Sequence, residues 1–375
     1  MMTHRERVLA AMNHRSPDRV PVDIGGTFAS GINVRAYDAL KHHLGLEGRP
    51  TALVAQRSRL ALLDEDVLQK FDVDCRGLIP AGPENRPEKE YPDGSYIDQW
   101  GITWAKPAEG HFYVKKPIFT GEMTTDVLRQ YNWPDPTDPG YVRGLREAAQ
   151  ALHEGTDYAV ILCLPVGFVH QSQFLRGYDA WLMDLVSSPE SVAALADAIL
   201  EVWLEVAKRM IQACKPYVDI VFCGDDVAFQ NGPMMNPKLY RSLIKPRHKR
   251  IFDMIKHECD AKILYHSCGS AVSLLSDLIE IGIDGLNPVQ VSAAGMDTAS
   301  LKKEFGRDLF FWGAIDTHRV LPFGTPDDVR QEVARRIHDL ADGGGYVMAS
   351  VHNIQAEVPP ENILAMVQAS RTYGS

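Results

Sequence analysis

Short, continuously apolar runs separated by longer amphipathic stretches set the rhythm of this chain. The runs Val20–Ile24, Cys75–Ile79, Ala159–Leu164, Asp219–Cys223, Ala261–His266, Gly285–Asn287, Leu309–Trp312 and Tyr346–Ser350 read as strands. Their apolarity does not alternate, which suits strands covered on both faces of a parallel sheet. Helical spacing marks residues 3–15, where Val8, Leu9 and Met12 face one way and Arg5, Glu6 and His14 the other, until Pro17 and Pro21 break the pattern. Further helices are predicted over Pro189–Cys214, Pro237–Cys259, Ser270–Ile281 and Asp327–Ala341, the last opened by Thr325 as N-cap with Pro326 behind it. Strands interleaved with helices in this order predict an α/β fold: one (β/α)8 TIM barrel spanning residues 1–375, with a hairpin insertion. No GxGxxG fingerprint follows the first strand, which weakens a dinucleotide-binding sheet.

One region breaks the rhythm. Residues 81–118 carry Pro83, Pro87, Pro92, Gly94, Trp100, Gly101, Trp104, Pro107 and Gly110, and Ser95–Trp104 alternates like a hairpin. The stretch reads as an insertion or lid over the barrel mouth, or as a surface hairpin without a catalytic part. As a lid, its Trp100, Trp104 and Phe112 could pack an aromatic methoxy substrate.

Composition narrows the partners. The 375 residues are 45% hydrophobic and carry a net charge of −10, which argues against nucleic acid or an anionic membrane as the main partner. The basic cluster Lys245–Arg250 falls in a helical stretch and reads as a solvated face. The polar start Met1–Arg7 lacks a signal-peptide core, and no run approaches the roughly 18 apolar residues of a membrane helix. Cys75, Cys163, Cys214, Cys223, Cys259 and Cys268 form no disulfide-like framework and read as reduced thiols of a cytoplasmic protein, any of them available to a metal.

Polar residues capable of chemistry sit just past the apolar runs: Asp225-Asp226, His266-x-Cys268, Asn287, Asp316 with His318, and His352-Asn353. In a barrel these strand ends converge on one face, where active sites are built. His266 and Cys268 lie two apart, so imidazole and thiolate can share one ion, and zinc accepts that donor set. A third ligand must come from elsewhere, because no cysteine follows Cys268; His352 is best placed. Alternatively His352 is a neutral histidine that hydrogen-bonds a substrate carboxylate or the backbone. Asp225 and Asp226 could be general acid/base groups, further ligands or binders of a cationic group, and they lie too far upstream to cap the helix opening at Asn236-Pro237. Asn287 and Asp316 are expected to contact substrate, whereas Cys223 reads as core.

From about residue 159 onward the order of segments resembles the uroporphyrinogen decarboxylase superfamily. The pieces are Leu164-Pro165-Val166-Gly167, Val221-Phe222-Cys223-Gly224-Asp225-Asp226, Pro237-x-x-Tyr240, Pro246-x-x-Lys249-x-Ile251 and Tyr265-His266-x-Cys268-Gly269. Leu275-x-Asp277-Leu278, Gly282-Ile283-Asp284, Trp312–Asp316, Gly324-Thr325-Pro326-x-x-Val329 and Pro359–Ile363 follow, and the opening Arg5-x-Arg7-Val8-Leu9 with Pro17–Val22 is similar to the family's N-terminal arm. The decarboxylases carry an Arg-Gln-Ala-Gly-Arg segment where this chain has Asp23–Phe28, and an aspartate near the end of the second strand where it runs Asp74–Ile79. The other branch, corrinoid-linked methyltransferases, has His-x-Cys after the fifth strand, matched by His266 and Cys268. Its further zinc ligand is usually a cysteine after the last strand, where His352 stands here. The resemblance therefore implies a zinc-dependent methyltransferase, with a corrinoid protein and a small methyl donor or acceptor as partners and a homodimer as its assembly. The rival readings are porphyrinogen decarboxylation without metal, a metal-dependent hydrolase with Asp226 activating water, and a binding protein without turnover.

Overall fold

The computed structural model describes residues 1–46, 48–108, 111–165 and 167–374; Gly110 and Val166, named above, lie outside this set. Seven parallel strands form one sheet in sequential order: β1 (Cys75–Leu78), β2 (Ala159–Cys163), β3 (Ile220–Gly224), β4 (Lys262–His266), β5 (Gly285–Asn287), β6 (Phe310–Ile315) and β7 (Tyr346–Ser350). Side chains alternate between two buried layers. Ile161, Cys163, Phe222, Leu264, Trp312, Val347 and Ala349 fill the barrel interior, while Val160, Leu162, Val221, Cys223, Ile263 and Tyr265 meet the outer helices. Helix α1 (His4–Met12), opened by a capping box between Thr3 and Glu6, sends Val8, Ala11 and Met12 into the interior layer and plugs it from below.

The eighth position is occupied, but not by a strand of the predicted length. Val20–Ile24 contributes a single parallel bridge, Val22 to Met348 of β7. On one side Asp23 N donates to Met348 O at 2.9 Å and Met348 N to Pro21 O at 2.9 Å; on the other Asp74 N donates to Val22 O at 2.9 Å. The remaining Val22 N–H goes to the Asp74 carboxylate at 2.8 Å. Pro21 offers no N–H, and Gly25, at φ +79°, turns the chain away directly afterwards, so the ladder cannot extend. The barrel nevertheless closes. Arg7 and Arg19 clamp the same carboxylate, each at 2.7 Å, and Arg7 also holds Asp18 at 2.7 Å, tying the arm to the seam.

The outer helices follow their predicted spans with two exceptions, the first being Ser270–Ile281, where a 3-10 turn over Val272–Leu274 leads into a helix of only Leu275–Glu280. α4 (Pro189–Cys214) matches, and α6 (Pro326–Leu340) begins at the Thr325 cap, closed into a box by Asp328. The helix predicted over Pro237–Cys259 is interrupted by a wider π-type turn at Tyr240–Ile244 before α5 (Lys245–Glu258). Pro246 explains it, since a proline within a helix removes a hydrogen bond and crowds the preceding turn. The basic cluster on α5 is salt-bridged rather than merely solvated: Lys245 to Asp277 and Glu280, Arg247 to Asp197, Lys249 to Asp253, Arg250 to Glu201. His248 is the exception, turned inward and 1% exposed.

The insertion is a four-stranded antiparallel meander, Lys89–Glu90, Tyr96–Ile97, Thr103–Ala105 and Tyr113–Lys116. Its apolar face belongs to the main core. Trp100 packs on Trp203 of α4 at 5.2 Å and on Trp133 at 6.2 Å, so it is committed to structure and leaves no face for a substrate. Trp104 and Phe112 instead line a cavity of about 640 Å³ between the meander and the helices that follow β2, α2 (Phe168–Arg176) and α3 (Tyr178–Ser187). No helix among the described residues is long and apolar enough to cross a membrane, and all six cysteines are free.

Candidate metal centre

At the C-terminal rim of the barrel, His266 ends β4 on the same face as Leu264, so its imidazole points into the mouth. Cys268 follows in a tight turn, and His352 arrives two residues beyond β7. One donor atom from each of the three lies within 4.8 Å of the other two, with the Cys268 Sγ to His266 Nε2 distance at 3.5 Å. The structure thus brings together the three residues singled out as ligands from strand-end position.

Local features hold them. His266 Nδ1 donates to Asn287 Oδ1 at 2.6 Å, which leaves Nε2 as the lone-pair nitrogen facing Cys268. The Asn287 amide is fixed in turn by donating to Trp312 O at 3.3 Å. Asn287 is fully buried with its amide engaged in this way, so it orients a ligand rather than facing a substrate as expected. Cys268 N donates to Asp226 Oδ1 at 2.6 Å, and Gly269 N to Gln290 Oε1 at 2.7 Å. Gly269 adopts φ +86°, and a Cβ there would meet the carbonyl oxygens of Ala228 and Phe229 at 2.7 Å; only glycine lets the turn press so closely.

Burial sets the charge states. It pushes the His266 imidazole down, and the His352 imidazole to about 3, so both are neutral, the form that ligates a metal. Burial, with the Asp226 carboxylate beside it, pushes the Cys268 thiol well up. A cation seated among the three would reverse that last effect and favour the thiolate. Two imidazoles and a thiol fit zinc: the donor set is its preferred N/S mixture.

The paired aspartates separate. Asp225 is 1% exposed, and its two oxygens accept from Val169 N at 3.0 Å and His170 N at 3.1 Å, the first-turn donors of α2. Gly167 precedes that helix and has no side chain to cap it; a Cβ there would lie 2.8 Å from Gly224 O and 3.0 Å from Asp225 Oδ1. Asp225, expected in the chemistry alongside Asp226, is therefore a cap supplied across strands. The helix it serves lies upstream, not the downstream one weighed from sequence. Burial alone would raise its pKa, but hydrogen bonds with His170 and His248 outweigh burial and bring it to about 2. Asp226 keeps 25% of its side chain exposed and touches the ligand turn directly.

His170 was not anticipated. It stands 3.4 Å from Asp225 and 3.4 Å from Asp226; burial opposes its charge, yet the two carboxylates raise its pKa to about 10, so it is an imidazolium at neutral pH. Its position in the first turn after a barrel strand was the available signal, hidden because it stands inside an apolar stretch, Phe168-Val169-His170. Asp316 is 8% exposed and accepts from His318 N at 2.7 Å and Arg319 N at 3.3 Å, capping its own turn.

Comparison with known proteins agrees with this architecture. The sequence model described as uroporphyrinogen decarboxylase (URO-D) matches residues 104–373. A protein of Methanosarcina acetivorans named methylcobamide:CoM methyltransferase is 23% identical over 374 residues, covering 99% of this chain and 98% of that one. A methylated-thiol–coenzyme M methyltransferase of Methanosarcina mazei is 24% identical over 276 residues, 72% of this chain and 67% of its own. A solved methyltransferase from Methanosarcina mazei superposes over 100% of this chain and 99% of its own with a TM-score of 0.68 at 18% identity, which shows the shared fold.

Proposed function

The chain belongs to the uroporphyrinogen decarboxylase family, and from that premise we propose that it is a zinc-dependent methyltransferase moving a methyl group between a small substrate and a corrinoid protein. One observation carries the reading: donor atoms of His266, Cys268 and His352 within 4.8 Å of one another at the barrel mouth. Zinc held there supplies Lewis-acid chemistry, making an ether oxygen a better leaving group or stabilising a thiol acceptor as thiolate. Asn287 sets the tautomer of His266 through its 2.6 Å bond. Asp226 anchors the backbone of Cys268, and the His170 imidazolium pairs with Asp226 from the opposite side. Names of relatives support methyl transfer, and the absence of the Arg-Gln-Ala-Gly-Arg segment speaks against the decarboxylase reading.

Metal analysis and a transfer assay test this together. The purified protein should hold about one zinc per chain, Cys268→Ala should lose it, and the zinc-loaded wild type should demethylate methylcobalamin supplied with thiol acceptors, or methylate cob(I)alamin from methoxy donors. Folded, active protein without metal, or hydrolysis of these substrates without any corrinoid, refutes the proposal.

A further inference from the structure

The register of β3 and β4 brings Asp226 beside the ligand turn. Gly224 pairs with His266, and the ladder runs one bond further, Asp225 N donating to His266 O at 3.0 Å. Two residues past that pair stand Asp226 and Cys268, and they meet: Cys268 N donates to Asp226 Oδ1 at 2.6 Å. Val227 N, donating to Ser267 Oγ at 3.1 Å, keeps the two turns in step.

The same carboxylate oxygen faces the donor trio. Asp226 Oδ1 lies 3.8 Å from His266 Nε2, the nitrogen that also faces Cys268 Sγ at 3.5 Å. Zinc bonds of about 2.0–2.1 Å to nitrogen or oxygen and about 2.3 Å to sulfur, at tetrahedral angles, put N and S roughly 3.5 Å apart and N and O roughly 3.4 Å apart. The first spacing is met as it stands, and a small turn of the carboxylate meets the second. A carboxylate oxygen has two lone-pair sites, so Oδ1 can keep the Cys268 amide and present the other to an ion. Charge favours the same group. Zinc held by one thiolate and two neutral imidazoles leaves one net positive charge in a pocket where the His266 side chain is only 13% exposed, and an unpaired buried charge is costly. One carboxylate cancels it. On the far side, Asp226 Oδ2 lies 3.4 Å from His170 Nε2, longer than the roughly 2.7–2.9 Å of a closed charge-assisted bond. The carboxylate therefore stands between the trio and His170, within reach of both.

We propose that Asp226 is the fourth donor of this centre, that it yields the place when substrate binds, and that His170 then holds it. The inference rests on the metal reading of the proposed function and deepens it by assigning the position through which substrate enters. When a thiol takes that position, its sulfur bonds the metal, the bond from Asp226 breaks and the thiol proton passes to solvent. The carboxylate leaves with its charge and pairs with His170, so the charge of the donor set is unchanged.

Cobalt(II) in place of zinc makes the position visible without methyl transfer or corrinoid. Cobalt-loaded wild type should give one visible spectrum from about pH 6 to 9, because Asp226 fills the place where a water would ionise near neutrality. Asp226→Asn keeps an acceptor for Cys268 N but is a poor ligand. Its spectrum should titrate across that range, and its zinc affinity should fall roughly 10–100-fold. 2-Mercaptoethanol should add a sulfur-to-cobalt charge-transfer band to both proteins, at roughly tenfold lower concentration in Asp226→Asn, where no carboxylate has to be displaced. His170→Gln should need roughly tenfold more thiol than wild type, with zinc content unchanged. A wild-type spectrum that itself titrates overturns the proposal, whether or not any variant folds. So does equal thiol binding by wild type and either variant. Wild type that takes up neither zinc nor cobalt strikes the proposed function together with this inference. A pH-invariant cobalt protein that transfers no methyl group strikes the proposed function and spares the fourth donor.

Discussion

Replacing Asp225 with alanine removes the acceptor for two helix-terminal N–H groups at once, and its cost can be built up from the geometry. Val169 N is buried and has its bond to the carboxylate at 3.0 Å; His170 N, part-buried, has its bond at 3.1 Å. An unsatisfied buried donor costs about 1–3 kcal/mol, and a partly solvated one roughly 1 kcal/mol. Both belong to the same cap, so the cap is not counted again, and the sum is about 2–4 kcal/mol, a large share of the ~5–15 kcal/mol typical of a folded domain. Asp225→Asn keeps one acceptor oxygen and should lose about half as much, because one of the two N–H groups is left without its acceptor. Equilibrium urea unfolding of wild type, both Asp225 variants and Asp226→Asn, with zinc measured on each, gives the comparison. Asp225→Ala should shift the midpoint most, and Asp226→Asn, whose side chain is 25% exposed, should shift it least while losing most activity. If Asp225→Ala unfolds within about 0.5 kcal/mol of wild type yet is inactive, the assignment of Asp225 as a cap is wrong and the residue belongs to the chemistry.

Two further outcomes follow from bonds already described. Asn287→Ala should weaken zinc binding about 10–100-fold in a chelator competition, because it frees the ring that Nδ1 holds at 2.6 Å; unchanged affinity would remove Asn287 from the site's support. The Asp18 carboxylate is held at about 2, chiefly by its hydrogen bond with Arg7, below its ordinary 3.8. A depressed folded pKa stabilises above pH 3.8 and loses that contribution as pH falls from 3.8 toward 2. Stability curves of wild type and Asp18→Asn should thus converge across that window, from a difference of about 1–2 kcal/mol at neutral pH; parallel curves would refute the linkage.

The sequence disclosed the barrel because continuous apolar runs and their spacing report burial on two faces, a property each run carries by itself. The grouping of His266, Cys268 and His352 was legible for a similar reason: they are strand-end residues, and strand ends of a barrel share one rim. What it hid depends on partners distant in the chain. The single-bridge strand at Val22 needs the Asp74 carboxylate to supply a bond that Pro21 interrupts, and no local pattern shows that. Asp225 and Asp226 are chemically identical neighbours, yet one is consumed by the amides of α2 and the other reaches Cys268. Trp100 and Trp104 looked alike for the same reason, until Trp203 claimed the first. Pro246 was visible, and its effect on the helix could have been read in advance.

The seam at Val22 also orders events in time. Its partner on one side, Asp74, follows it closely in the chain; its partner on the other, Met348, comes only after six further strands of the sheet. Without β7 in place, the sheet is open along the edge that Val22 and β6 present, and the amides there lack their partners. The arginine clamp on Asp74 fixes the Val22 segment from the side away from β7, so that closing strand pairs with a held edge rather than a loose end.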